Sequence, residues 1–107
     1  MQITLHDPGG TLVAGAFGFT IWNYLYIQWL WVAESHRRQG MANRLLSAAE
    51  DRALERGCTG AWIDTFSDAG LRAYLKAGYE VFGELPDFAD GQPRTFLRKT
   101  LEPASKD

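Results

Sequence analysis

The hydrophobic period of this chain changes at Gly40, and that change limits the folds open to it. From Met41 onward Ala42, Leu45, Leu46, Ala49 and Ala53 recur every three or four positions, while Asn43, Arg44, Ser47, Glu50, Asp51 and Glu55 fall on the opposite side. This spacing makes an amphipathic helix. It ends at Arg56-Gly57, with a cation in the last turn and a glycine just past it. Before Gly40 the chain reads as strands instead. Residues 2–6 alternate polar and apolar and run into Asp7-Pro8-Gly9-Gly10, a turn signal. Residues 11–22 carry Val13, Phe17, Phe19 and Ile21 on a second strand, where Gly15 and Gly18 mark a bulge or the close approach of another backbone. Asn23 allows a tight reversal, and residues 24–33 are apolar on both faces, the pattern of a central strand.

After the helix, residues 60–66 give a short strand, AWIDTF at its heart. Ser67 or Asp68 caps a second helix over 69–77 that stops at Gly78. Residues 79–85 and 94–101 form the last strands, joined by PDFADGQP, read as a polar loop with two prolines. The order is β-β-β-α-β-α-β-β, an α+β domain with a mixed sheet: a meander, a crossover helix, then a parallel partner strand. It occupies residues 1–101 as one domain, and 102–107 are expected to be a flexible tail.

Composition excludes several functions. A formal charge of −2 argues against broad electrostatic binding to nucleic acid. Cys58 is alone, so neither an internal disulfide nor a cysteine metal site can form, and a reducing cytoplasm is the expected compartment. The longest apolar run, 24–33, is interrupted by Gln28 and too short to span a membrane, so no membrane partner is expected. No His, Cys, Asp and Glu set has metal-ligand spacing, and no metal is expected.

The junction Arg37-Arg38-Gln39-Gly40-Met41-Ala42 carries the chemistry. Unpartnered N–H groups at a helix start attract anions, Gly40 and Ala42 let a phosphate approach the backbone, and Arg37 and Arg38 supply charged donors. It is neither a P-loop nor a dinucleotide fingerprint. The local pattern alone leaves two readings open: a pyrophosphate cradle, or a solvated turn shaped by Gly40.

LWVAESHRRQGMANRLLSAAEDRALERGC, then DTF, then AYLKAGYEVFGEL and FLRKTL together resemble the GNAT superfamily of acyl-CoA-dependent N-acyltransferases over residues 24–101. The coenzyme A signature [RQ]-x-x-G-x-[GA] is matched by Arg37, Gly40 and Ala42, and Tyr-x-x-x-Gly-[FY] by Tyr74, Gly78 and Tyr79. The resemblance implies acetyl-CoA as co-substrate and an amine, small or protein-borne, as acceptor. Backbone groups of Arg38, Gln39, Gly40, Met41 and Ala42 would hold the pyrophosphate, and those of Leu30, Trp31 and Val32 would pair with the pantetheine arm. Tyr74 would protonate the departing thiolate, a task suited to a phenol of pKa about 10.

The chain departs from the family in two ways. Family members carry a strand and one or two helices ahead of the segment that opens here, so the implied fold lacks one wall of the acceptor cleft. With Phe17, Phe19, Trp22, Trp29 and Trp31 on a short chain, a homodimer is expected to close it. Strict alternation also places Tyr24, Tyr26, Gln28, Leu30 and Val32 on one face, with Gln28 where close relatives carry Asp or Glu. An amide cannot act as a base, which leaves Glu34, His36 or a water relay as candidates. The leading reading is an N-acetyltransferase working by direct attack. The alternatives are a GNAT-like domain that binds coenzyme A without catalysis, as sensor or scaffold, and an interaction module that keeps only the fold.

Overall fold

Among the described residues six strands form one sheet in the order β1-β2-β3-β4-β6-β5. The computed structural model describes residues 1–103, so the expected tail lies mostly outside the described residues, with only Glu102 and Pro103 seen, in no regular structure. The strands are β1 (Gln2–His6), β2 (Leu12–Ile21), β3 (Tyr24–Val32), β4 (Gly60–Thr65), β5 (Glu80–Ala89) and β6 (Gln92–Thr100). The helices are α1 (Met41–Glu55) and α2 (Asp68–Lys76), and a 3-10 turn at Glu34–His36 follows β3. β3 and β4 are the parallel pair, as a crossover through α1 requires, and the other pairs are antiparallel. The order and the mixed α+β class match the sequence reading. Among the described residues no helix is long and apolar enough to cross a membrane.

The segment PDFADGQP is a correction to that reading: it is not a loop but the end of a hairpin. β5 runs to Ala89 and β6 begins at Gln92, around a turn in which Asp90 (φ 50°) and Gly91 (φ 80°) are both left-handed. Asp87 Oδ1 accepts a hydrogen bond from Gly91 N at 2.9 Å. Prolines veto a strand only where their missing N–H is needed. β5 is the outer strand of the sheet, and Pro86 falls in the register shift between Leu85 and Ala89.

Both helices cover the same face. Leu45, Leu46, Ala49 and Ala53 of α1 and Tyr74 of α2 join Ala14, Ala16, Leu25, Ile27, Ala61, Ile63 and Leu97 of the sheet in one buried cluster. Full burial of each leucine or isoleucine contributes about 1.5–3 kcal/mol. The Ser67 hydroxyl caps α2, accepting from Gly70 N at 3.0 Å. Glu50, which helical spacing assigns to solvent, is buried instead, because Tyr79 Oη donates to its Oε2 at 2.8 Å and Lys99 Nζ lies 2.9 Å from its Oε1.

A bulge in β3 overturns the strict alternation expected there. Phe17 pairs with Trp29 but Gly18 pairs with Ile27, which leaves Gln28 as the extra residue. The phase of the strand therefore flips. Leu30 and Val32 turn inward with Leu25 and Ile27, opposite Ala16 and Ala14, while Trp29 and Trp31 join Tyr24 and Tyr26 on the outer face. Gly18 makes this possible, since a Cβ there would sit 2.5 Å from the Tyr26 carbonyl oxygen. The outer face is aromatic: Phe17 stacks on Trp29, Phe19 meets Tyr26 edge-on, and Tyr26 stacks on Trp62 with centroids 4.0 Å apart.

Candidate active site

The anion cradle is built by the path from β3 into α1. Ala33 N donates to Val13 O at 2.8 Å, the 3-10 turn follows, and Arg37 Nε reaches back to Val32 O at 3.3 Å. Gln39 Nε2 donates to Ser35 O at 3.4 Å, which fastens the loop across its mouth. Arg38 (φ 66°) and Gly40 (φ 76°) are left-handed, a backbone geometry that forms anion-binding concavities from N–H groups. No side chain caps α1 and no acidic residue lies in its first turn, so its positive end is open. A Cβ at Gly40 would meet no atom within 4 Å, so no other part of the chain crowds this turn. These residues fit a pyrophosphate.

From this mouth an open strand edge leads to a gap in the sheet. Pairing between β3 and β4 stops at Ile27 with Ile63. β3 continues to Val32 bound to β2 only, while β4 continues through Asp64 and Thr65 bound to β6. Leu30, Trp31 and Val32 thus lie on an edge where an extended chain bearing amides can add as a strand. Gln28 stands exposed at the start of that edge. Glu34 sits exposed in the 3-10 turn at the other end, and the His36 ring bonds Ser35 Oγ at 2.9 Å beside it. The Arg37–Ala42 loop and the Leu30–Val32 edge therefore form one course, with Glu34 and His36 at the phosphate end and not at the gap.

Tyr74 is 8% exposed, on the helix-covered side. Burial first, and then the Asp64 carboxylate, push its phenol above the ordinary range, so it keeps its proton at neutral pH. The neighbouring Tyr79 is pushed up further, by burial and then by Glu50.

One cluster escaped the sequence reading. Tyr26 Oη donates to Asp64 Oδ1 at 3.0 Å, and Arg94 Nε donates to Asp64 Oδ2 at 2.7 Å. The Arg94 guanidinium lies 4.9 Å from the Phe96 ring centroid and 5.3 Å from that of Phe88. The one available signal was Asp64 itself, an acid inside an otherwise apolar strand.

An anion cradle leading along an unpaired edge into a splayed parallel pair is the architecture of an acyl-CoA-dependent transferase. The family described as "Acetyltransferase (GNAT) family" matches residues 3–79, and the chain belongs to it. It is 39% identical over 99 residues to "Acetyltransferase Atu2258" of Agrobacterium fabrum (strain C58 / ATCC 33970), spanning 92% of this chain and 72% of that protein. It is 33% identical over 93 residues to "Blasticidin-S acetyltransferase" of Streptomyces morookaense, spanning 86% of this chain and 68% of that protein. The crystal structure of an acetyltransferase from Bacillus cereus ATCC 14579 superposes with a TM-score of 0.88 at 32% identity, covering 94% of this chain and 72% of that one. The protein is an acyl-CoA-dependent acetyltransferase.

Proposed function

We propose that the protein moves an acetyl group from acetyl-CoA to an amine by direct attack. The observation that carries this reading is the unbroken course from the α1 mouth along Leu30–Val32 to the gap between β3 and β4. The pyrophosphate is held by backbone groups of Arg38 to Ala42, with Arg37 and Arg38 adding charge, and the pantetheine arm pairs with Leu30, Trp31 and Val32. The thioester then lies in the gap, its carbonyl polarised by a backbone N–H of the sheet. The amine nitrogen attacks the carbonyl carbon, the C–S bond breaks, and Tyr74 protonates the thiolate. A relative named for blasticidin S supports a small molecule as acceptor.

Replacing Tyr74 by Phe tests the assignment. Turnover is expected to fall by about 10²-fold or more with acetyl-CoA affinity unchanged; an unaltered rate would remove Tyr74 from the mechanism. The outer face supports a second proposal, pairing of two chains, because Phe19, Trp22, Trp29 and Trp31 are exposed there or at its edge. Light scattering at micromolar concentration should then give a dimer mass, and a monomer mass would refute it.

A further inference from the structure

We propose that Tyr26 and Asp64 take the proton from the incoming amine: the ammonium passes a proton to Tyr26 Oη as Tyr26 passes its own to Asp64 Oδ1, with Arg94 positioning the carboxylate. The inference rests on the acetyl-transfer reading above and supplies the base that Gln28 cannot be.

Place and geometry carry it. Tyr26 pairs with Trp62 one step before the strands part, and Asp64 is the first residue of β4 beyond the parting. Both face the outer side of the sheet, whereas Tyr74 is buried among the residues of the helix-covered side. The two protons are thus handled from opposite faces of one gap. Tyr26 is held by stacking on Trp62 and by the edge contact with Phe19, which fixes its ring while leaving it partly exposed. Its hydroxyl donates to Asp64, so its lone pairs can accept from an ammonium. Burial and then Asp64 keep this phenol protonated at neutral pH, against the opposing pull of Arg94, so both protons must move together. The other ionisable groups facing the cluster are Arg98 on β6, paired with Glu80 of β5 at 3.4 Å, and Tyr24 on β3, while the Tyr74 phenol of α2 feels the Asp64 charge from the other side of the sheet.

The step balances. The ammonium N–H breaks and its proton binds Tyr26 Oη, while the former Tyr26 proton binds Asp64. The freed nitrogen lone pair forms the C–N bond, the C–S electrons leave on sulfur, and sulfur takes the Tyr74 proton. The nitrogen, positively charged once the C–N bond has formed, gives its second proton to solvent to leave the neutral amide, Asp64 releases the first, and Tyr74 regains one from solvent. Beside the cluster an open groove of ≈ 500 Å³, lined by Tyr24, Trp62, Phe82, Phe96 and Arg98, can seat the body of the acceptor. Its aromatic walls suit a flat, apolar frame behind the amine.

The test follows thiol release from acetyl-CoA with tyramine and with spermidine, from neutral pH to about pH 10, where an alkyl ammonium loses its proton unaided. In Asp64→Asn and in Tyr26→Phe, kcat/KM for tyramine should fall by about 10²-fold or more near pH 7 and recover toward wild type at the alkaline end. Asp64→Glu should restore part of the rate, tyramine should outrun spermidine, and acetyl-CoA affinity by calorimetry should be unchanged in all three variants. An equal loss at every pH, or no loss, would overturn the relay while leaving the acetyl-transfer reading intact. Acetyl-CoA binding with no thiol release from either amine would overturn the relay and the turnover it serves, but not the cofactor site. No binding of acetyl-CoA to the intact protein would overturn the reading beneath both.

Discussion

The two faces of the sheet carry the same trio of groups and use it differently. Under the helices Glu50 accepts from Tyr79 and Lys99; on the outer face Asp64 accepts from Tyr26 and Arg94. The carboxylates are almost equally hidden, with side-chain exposures of 11% and 9%. What separates the trios is the phenol. Tyr79 is 3% exposed, and Lys99 also donates to Ala77 O at 3.0 Å, so that trio is closed and locks the end of α2 to α1 and β6. Tyr26 is partly open and stands where the sheet parts. Access to the phenol, more than burial of the acid, divides a structural network from a chemical one.

Breaking the closed trio should have the larger effect on folding. Glu50→Ala leaves the Lys99 ammonium without its counter-charge and should lower unfolding stability by about 3 kcal/mol, at the low end for a buried pair because Lys99 keeps some solvent contact and its bond to Ala77 O. Denaturant titration reads this, and the pH–rate profile of the folded enzyme should not move. Asp64→Asn should behave in the opposite way, because the Arg94 guanidinium keeps its packing on Phe88 and Phe96. If the two variants were equally destabilised and equally slowed, the comparison would collapse.

A smaller effect sharpens it. Tyr79 and Tyr74 have phenols raised above the ordinary value of about 10 by the folded state. Between that value and the folded one the native state holds more protons than the unfolded chain, so stability is intact below about pH 10 and falls as pH rises beyond it. Tyr79→Phe should cost about 1 kcal/mol near neutrality through the lost bond to Glu50, and should flatten the alkaline decline in Tm. A decline as steep as in the wild type would show that Tyr79 does not drive it.

What the sequence made legible follows chain distance. The candidate anion site was readable because Arg37 to Ala42 are contiguous, and a cap at Ser67 or Asp68 because the bond is local: Ser67 makes it, to Gly70 three residues away. The bulge at Gln28 was hidden, since period-two reading assumes an unbroken ladder. Gly18 signalled an irregularity, but only the register of β2 on β3 shows which residue is extra. The Tyr26–Asp64–Arg94 cluster joins three strands that become neighbours through the order β3-β4-β6, and residues 38 and 30 positions apart give no local pattern. Glu50 was misplaced for the same reason, as its partners come from beyond α2 and from β6.

Titration calorimetry with acetyl-CoA decides whether the α1 mouth and the open β3 edge hold this co-substrate. A Gly40→Glu variant serves as the control, since it puts a carboxylate on the left-handed residue at the start of α1, inside the proposed pyrophosphate site. Saturable binding to the wild type, abolished in Gly40→Glu, is the expected result. Failure of the wild type to bind, or equal binding by the variant, would contradict it.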